Sequence, residues 1–425
     1  MNTLKAFFTI TRDLFYIALV EYLPNSLYLA LYRKYFLSLI KRKKFNQPTF
    51  MSRKSLQDLS ILRSKEILDA SKIAYEYFLD SRSKNTLKFE NQIDTNSNSK
   101  KAKIIIPDNW NNPLSVEGKT QGPQILFLKE GLERNGYATE IVPLNRNSST
   151  LDINLSEPQL VLIWSLTYFD PNSSVFNIFC SPSLQASKKY LVVGVITASP
   201  NKDLIDRYQK WTRILKKVLY YEEKSDFKKI LDTVFEVTHT QIIQLAPNLN
   251  INQKDFSVSV HASCLLKQNR VAWLLVLRNI CISLEIPYFI RLISNTLSYK
   301  NIRGTYISNE LIVEERMKFG FGYVMLHRDH KTDAGLIGSF WDYYRLGIIP
   351  LVQMQNIQEM ASYMVPYLDY FPFENDLDLY GILTASKNMP AHFNLLKIRI
   401  VERMKYEFNS EAVVKRMLIS LDYTS

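Results

Sequence analysis

Three cysteines are all that 425 residues contain, and Cys180, Cys264 and Cys281 stand far apart in apolar surroundings. No C-x-x-C pair exists, so a disulfide framework and a thiolate zinc site are both excluded, and the thiols read as small core residues in a reducing compartment. Histidine is nearly as scarce. Of five, only His327 and His330 lie close together, while His239 and His392 read as structural, so no metal is expected. With twelve glycines there is no phosphate-binding P-loop and no dinucleotide fingerprint. Gly118-x-x-x-Gly122 lacks the Lys-Ser/Thr of the first and the third glycine of the second, which argues against ATP and NAD. No uninterrupted apolar run reaches membrane-spanning length: 14–32 comes nearest, but Glu21, Pro24 and Asn25 break it. No small-residue cleavage site follows it, as a signal peptide would require.

What is present is a basic front end. The net charge is +12. Lys5, Arg12, Arg33, Lys34, Lys41, Arg42, Lys43, Lys44, Arg53 and Lys54 face only Asp13 and Glu21, so residues 1–54 account for +8 of it. With the charge gathered there, no basic stripe is left for the body, and nucleic acid is not expected as a partner. Two short aromatic-rich helices meeting at Pro24 fit two readings, an interfacial anchor on an anionic membrane or a pair packed on the protein's own core. Either way residues 1–80 read as a helical, basic extension, with 55–80 at helical spacing. The polar Ser/Asn/Lys-rich stretch 81–102 reads as a linker, and residues 1–50 are expected to be removable without unfolding the rest.

Beyond the linker, apolar strands alternate with helices, the pattern of a parallel α/β sheet. The first unit, 103–249, opens on Lys103-Ile104-Ile105-Ile106-Pro107, followed by a helix over 122–136 and strands at 137–144, 159–166, 190–199 and 218–222. The second, 250–395, is expected to open on a strand over 255–260 that turns at Val260-His261-Ala262-Ser263. A helix over 268–284, strands at 286–290 and 323–326, and one closing amphipathic helix through 396–425 follow.

The densest motif is Ser339-Phe340-Trp341-Asp342-Tyr343-Tyr344-Arg345-Leu346-Gly347-Ile348-Ile349-Pro350-Leu351-Val352. It reads as a helix bearing one acid, closed by Gly347 in a left-handed conformation, then a buried strand. Ahead of it lies the loop from His327 to Gly338. This order resembles the donor-nucleotide segment of GT-B glycosyltransferases, of the bacterial surface-polysaccharide, exostosin-like or group 1-like kind.

The resemblance, over roughly residues 100–420, implies two Rossmann-like domains with closing helices, and transfer of a sugar from a nucleoside diphosphate to a glycan or lipid-linked acceptor. A non-catalytic glycan-binding or scaffold protein of the same fold is the alternative. It implies that Asp342, where the family more often has glutamate, holds the ribose hydroxyls. Ser263, Lys267, Arg270, His327 and the Gly335, Gly338 and Ser339 backbone would receive the diphosphate, as cations and helix amides suit phosphate. His261 or Ala262 stands where the family's turn has glycine. Asp108 and Glu117, in the loop after the first strand, are candidates for the base that activates an acceptor hydroxyl. The resemblance implies no metal and no cofactor, only the nucleotide sugar as substrate. It also implies a cytoplasmic enzyme, at the inner face of the plasma membrane if the front end binds lipid.

Overall fold

Ile104, Ile105 and Ile106 sit fully inside the protein because both faces of their strand are covered, as a central parallel strand requires. The structure, a computed structural model, describes residues 2–32, 34, 53–85, 100–108, 116–144, 159–164, 169, 174–179, 190–196, 211, 217–220, 236–238, 256–265, 268–293, 315–325, 338–353 and 364–421.

Among these, eleven strands form two wholly parallel sheets. The first contains β1 (Lys100–Pro107), β2 (Tyr137–Leu144), β3 (Gln159–Trp164), β4 (Tyr190–Ile196), β5 (Lys217–Tyr220) and β6 (Glu236–Thr238), in the order β2-β1-β3-β4-β5-β6. Ile104 lies opposite Ile141 on one side and Leu162 on the other. The second contains β7 (Val260–Leu265), β8 (Tyr288–Ile293), β9 (Phe321–Met325), β10 (Ile349–Gln353) and β11 (Phe371–Phe373), in the order β11-β10-β9-β7-β8.

The helices join the sheets in an interlaced way. α1 (Asn2–Ile17) runs into a π-helical turn, Ala18–Tyr22, then α2 (Asn25–Leu31) and the long α3 (Arg53–Asn85). Leu19, Val20, Tyr28, Tyr32 and Ile67 from this front end share one hydrophobic core with the second sheet. Arg63 Nε donates to Asp378 across 2.9 Å, and the Ser71 hydroxyl donates to the Tyr367 carbonyl across 2.7 Å. The described parts of the front end, within 2–32 and 53–80, therefore pack on the second half, against the expectation that residues 1–50 can be removed harmlessly. Glu21, an obstacle to a membrane span, takes the backbone N–H of Leu292 on the edge strand β8, satisfying one of that edge's donors.

α4 (Val116–Arg134) and α5 (Ser174–Phe179) belong to the first half, and α6 (Gln268–Leu284) and α7 (Gly338–Tyr344) to the second. The closing segment is three helices, α8 (Asp376–Asn388), α9 (Pro390–Tyr406) and α10 (Ser410–Ser420); over 396–425, where one helix was expected, α9 ends and α10 begins. Asn409 breaks it: its side chain accepts from the Ala412 N–H at 2.8 Å, capping α10. That break redirects α10 to the first sheet, where Val413, Val414, Met417, Leu418 and Leu421 join Ile125, Leu128 and Leu132 of α4. The contact is close at Gly131, where a Cβ would lie 2.3 Å from the Ser410 carbonyl. Front helices thus serve the second sheet, and the last helix serves the first.

Candidate functional site

Strand order locates the place where each sheet can take a ligand. Taking the strands of the second half in chain order, the arrangement is 2-1-3-4-5. The connections of the first and third strands leave to opposite sides, opening a crevice at their carboxyl ends. In the second sheet that crevice lies beyond β7 and β9. The chain leaving β7 enters α6, whose third residue is Arg270, and α7 is the helix that precedes β10.

Arg270 is 5% exposed and engaged in contacts within the protein, so it is no loose surface charge. Ser263 is half-buried inside β7, opposite Arg291 of β8. This corrects the expected boundaries: Val260 to Ser263 continue the strand where a phosphate-binding turn was expected, and 256–259 lies ahead of the sheet. The physical cause is His261. Its ring is 3% exposed, packs against Phe289 at 5.4 Å and places Nδ1 2.7 Å from the Tyr343 hydroxyl. A satisfied imidazole can occupy a buried strand position that the sequence pattern assigns to a polar turn. Burial first, then the charges of Arg316 and Arg291, lower its pKa to about 3, so the ring is neutral.

α7 carries the motif's acid. Gly347 adopts φ +67°. The Gly347 N–H bonds the Tyr344 carbonyl at 3.0 Å, and the Ile348 N–H bonds the Tyr343 carbonyl at 3.1 Å, the double closure of a Schellman motif. Tyr343 packs over Gly322 of β9, where a Cβ would lie 2.1 Å from the ring; no larger residue fits there. Asp342 is half-buried and paired with Arg316 at 3.2 Å and Arg345 at 3.4 Å, and Arg316 also lies 5.2 Å from the centre of the Tyr343 ring. Arg345 is legible in the sequence as an i,i+3 partner. Arg316 is not, because the fold brings it in from the segment ahead of β9. Gly338 and Ser339 open α7 itself, so Ser339 lies within the first turn and not at the cap. Lys267, His327 and Gly335 lie outside the described residues.

In the first sheet the corresponding crevice lies beyond β1 and β3. Asp108 follows Pro107 at the carboxyl end of β1 and is exposed. Glu117 falls in the first turn of α4, not in a loop, because that helix begins at Val116.

Asp376-Leu377-Asp378 has the spacing of a metal-binding carboxylate pair. Asp378 is occupied otherwise: one oxygen takes Arg63, and the other takes the Glu374 N–H at 3.1 Å at the start of α8. An open groove of about 500 Å³ beside it is lined by Arg63, Glu66, Tyr367, Glu374 and Asp378. Among the described residues, no group of three His, Cys, Asp or Glu side chains is arranged to hold a metal ion.

No family model matches the chain, and no curated protein matches it in sequence. Among solved structures, it is similar to an alpha-glucosyltransferase in complex with UDP-glucose and DNA containing an abasic site. The identity is 12% and the TM-score 0.47, over 76% of this chain and 100% of that one. An alpha-glucosyltransferase in complex with UDP and a 13-mer DNA containing a central A:G mismatch aligns over 75% and 95%, at 11% identity and a TM-score of 0.38. A Glycosylation Associate Protein (Gap123) complex from Streptococcus agalactiae aligns at 9% identity and a TM-score of 0.42, over 63% of this chain and 55% of that one.

Proposed function

We propose that this chain is a glycosyltransferase of two Rossmann-like domains that moves a sugar from a nucleoside diphosphate to a glycan or lipid-linked acceptor. The observation that carries the reading is that the two sheets repeat one parallel order, with Arg270 on the helix that follows β7 and Asp108 directly after β1. In the second unit Arg270, in the first turn of a 17-residue helix, would face the donor diphosphate together with the amide end of that helix. Asp342 would accept from the ribose hydroxyls, exchanging part of its pairing with Arg316 and Arg345. In the first unit Asp108, beyond β1, would take the proton of an attacking acceptor hydroxyl. The closing helix α10, seated on α4, supports a cleft between the two units as the place of reaction.

The ion pairs of Asp342 with Arg316 and Arg345 also favour a second reading, a glycan-binding or scaffold protein of the same fold without catalysis, because an acid already matched by two cations is less free for the ribose of a donor nucleotide.

The test is thermal unfolding of the full chain against UDP-, GDP-, ADP-, CMP- and dTDP-sugars. A bound donor at 100 times its dissociation constant adds about 2.7 kcal/mol of stability. A rise in midpoint with one nucleotide class supports the reading, and flat midpoints throughout oppose it.

A further inference from the structure

Helix α1 and the turn after it have two apolar faces, and the protein uses one of them. On the inner side Leu19 and Val20 are buried in the second core, and Arg278 holds their carbonyls at 2.8 Å each. On the outer side Phe7, Phe8, Leu14, Phe15 and Tyr22 stand in solvent, from 51% exposed at Leu14 to 74% at Tyr22. Positions 7, 8, 11, 14 and 15 recur at helical spacing in α1, so Phe7, Phe8, Leu14 and Phe15 lie along one side with Thr11 between them. Leu27 of α2 is also exposed. A contiguous aromatic stripe of this kind on a helix already anchored by its other face marks a contact with something outside the molecule.

The surrounding charge identifies that contact. Residues 1–54 carry ten basic side chains against two acidic ones; within the described part Arg12, on α1 itself, is exposed and paired with Asp13, and Lys34 is exposed. Among the described residues no single helix is long and apolar enough to cross a membrane, and α1 with its turn meets α2 at 118°, which suits lying along a surface. We infer that the outer face of α1 seats in the headgroup region of an anionic lipid bilayer, to which the net positive charge of residues 1–54 draws it. The inner face stays locked to the body, so the second sheet is held at a fixed attitude to the lipid. This inference does not depend on the proposed sugar transfer.

The experiment is flotation of the full chain with phosphatidylcholine vesicles, with and without phosphatidylglycerol, alongside the variant Phe8→Ser/Phe15→Ser. Both side chains are exposed, so the variant should unfold at the wild-type midpoint. The wild type is expected to float with the anionic vesicles only, and less so in high salt as the charge attraction is screened. The double variant is expected to lose roughly tenfold or more of that binding. No flotation with anionic vesicles, or equal binding by the variant, would overturn the inference. So would a wild-type dimer that the variant converts to monomer with no vesicle binding in either, which would assign the stripe to a second copy of the chain.

Discussion

The guanidinium of Arg278 on α6 donates to the main-chain carbonyl of Leu19 across 2.8 Å, tying the front of the chain to a helix of the second core. The same group reaches Val20, Leu23 and Asn25 and lies 4.3 Å from the Tyr28 ring centre, and the Tyr28 hydroxyl donates to the Leu275 carbonyl at 2.6 Å. A buried guanidinium that meets no carboxylate among the described residues is tolerable here because carbonyls and an aromatic face replace water.

Removing residues 1–50 should therefore abolish cooperative unfolding, since it leaves Arg278 with the Tyr288 hydroxyl in place of the acceptors of Leu19, Val20, Leu23 and Asn25 and bares an apolar side of α6. Arg278→Ala in the full chain should cost roughly 3 kcal/mol or more, as several charge-assisted bonds are lost at once. Chemical denaturation followed by circular dichroism measures both. A truncated chain that unfolds at the wild-type midpoint would return the front end to a detachable extension.

Asp369 should be the most sensitive polar position in the protein. It is wholly buried and accepts from Tyr344 of α7 at 2.8 Å, from Arg403 of α9 at 2.7 Å, from Arg399, and from the Val365 N–H at 2.8 Å. Burial alone would raise its pKa, but Arg403 and Arg399 outweigh it and hold the carboxyl below its usual value. Asp369→Ala strips Arg399 of its buried carboxylate and leaves Arg403 with Glu407 alone, and should destabilise by about 3–5 kcal/mol. A loss under about 1 kcal/mol by urea denaturation would show that water replaces the carboxylate.

His261 predicts a pH dependence with a definite sign. Its folded pKa, lowered to about 3, lies below the unfolded value of about 6.5. The unfolded chain thus binds the extra proton between these values, and stability is present above 6.5 and lost as pH falls toward 3. The slope from this one group approaches about 1.4 kcal/mol per pH unit. His261→Asn should flatten that part of the curve, measured as the wild-type minus variant difference in unfolding free energy. Parallel curves would mean that the ring is protonated in the fold.

Asp342→Ala should weaken binding of the best sugar nucleotide by roughly 1.5–3 kcal/mol, the value of a hydrogen bond to a charged group. The stability cost should stay near 1 kcal/mol, because its pairs with Arg316 and Arg345 are part-exposed. Asp342→Glu should retain binding. An unchanged dissociation constant in calorimetry would confine Asp342 to anchoring the two arginines.

Legibility in the sequence followed the range of the forces involved. The strand at 137–144 and the helix at 268–284 were readable to the residue, since periodicity and local turn signals set their ends. So was the role of Gly347, which needs only its own backbone. The start of β7 was misplaced because His261 is made strand-compatible by Tyr343, a partner that only the folded sheet supplies. The pairing of Arg316 with Asp342, the seat of α3 on α8 and the crossing of α10 to the first sheet are long-range contacts with no periodic signal. Asn409 was the exception, a local capping residue that a stricter reading of 396–425 shows as a helix break.

The central claim is sugar transfer, and product release tests it most directly. The full chain, incubated with the donor that raises its midpoint most and with glycan and lipid-linked acceptors, is followed for free nucleoside diphosphate. Release that grows with time and protein concentration, and that falls in Asp108→Asn and Asp342→Ala, is the predicted result. A donor that stabilises the fold yet yields no diphosphate above the protein-free blank with any acceptor would contradict transfer and leave a protein that binds sugar nucleotides without using them.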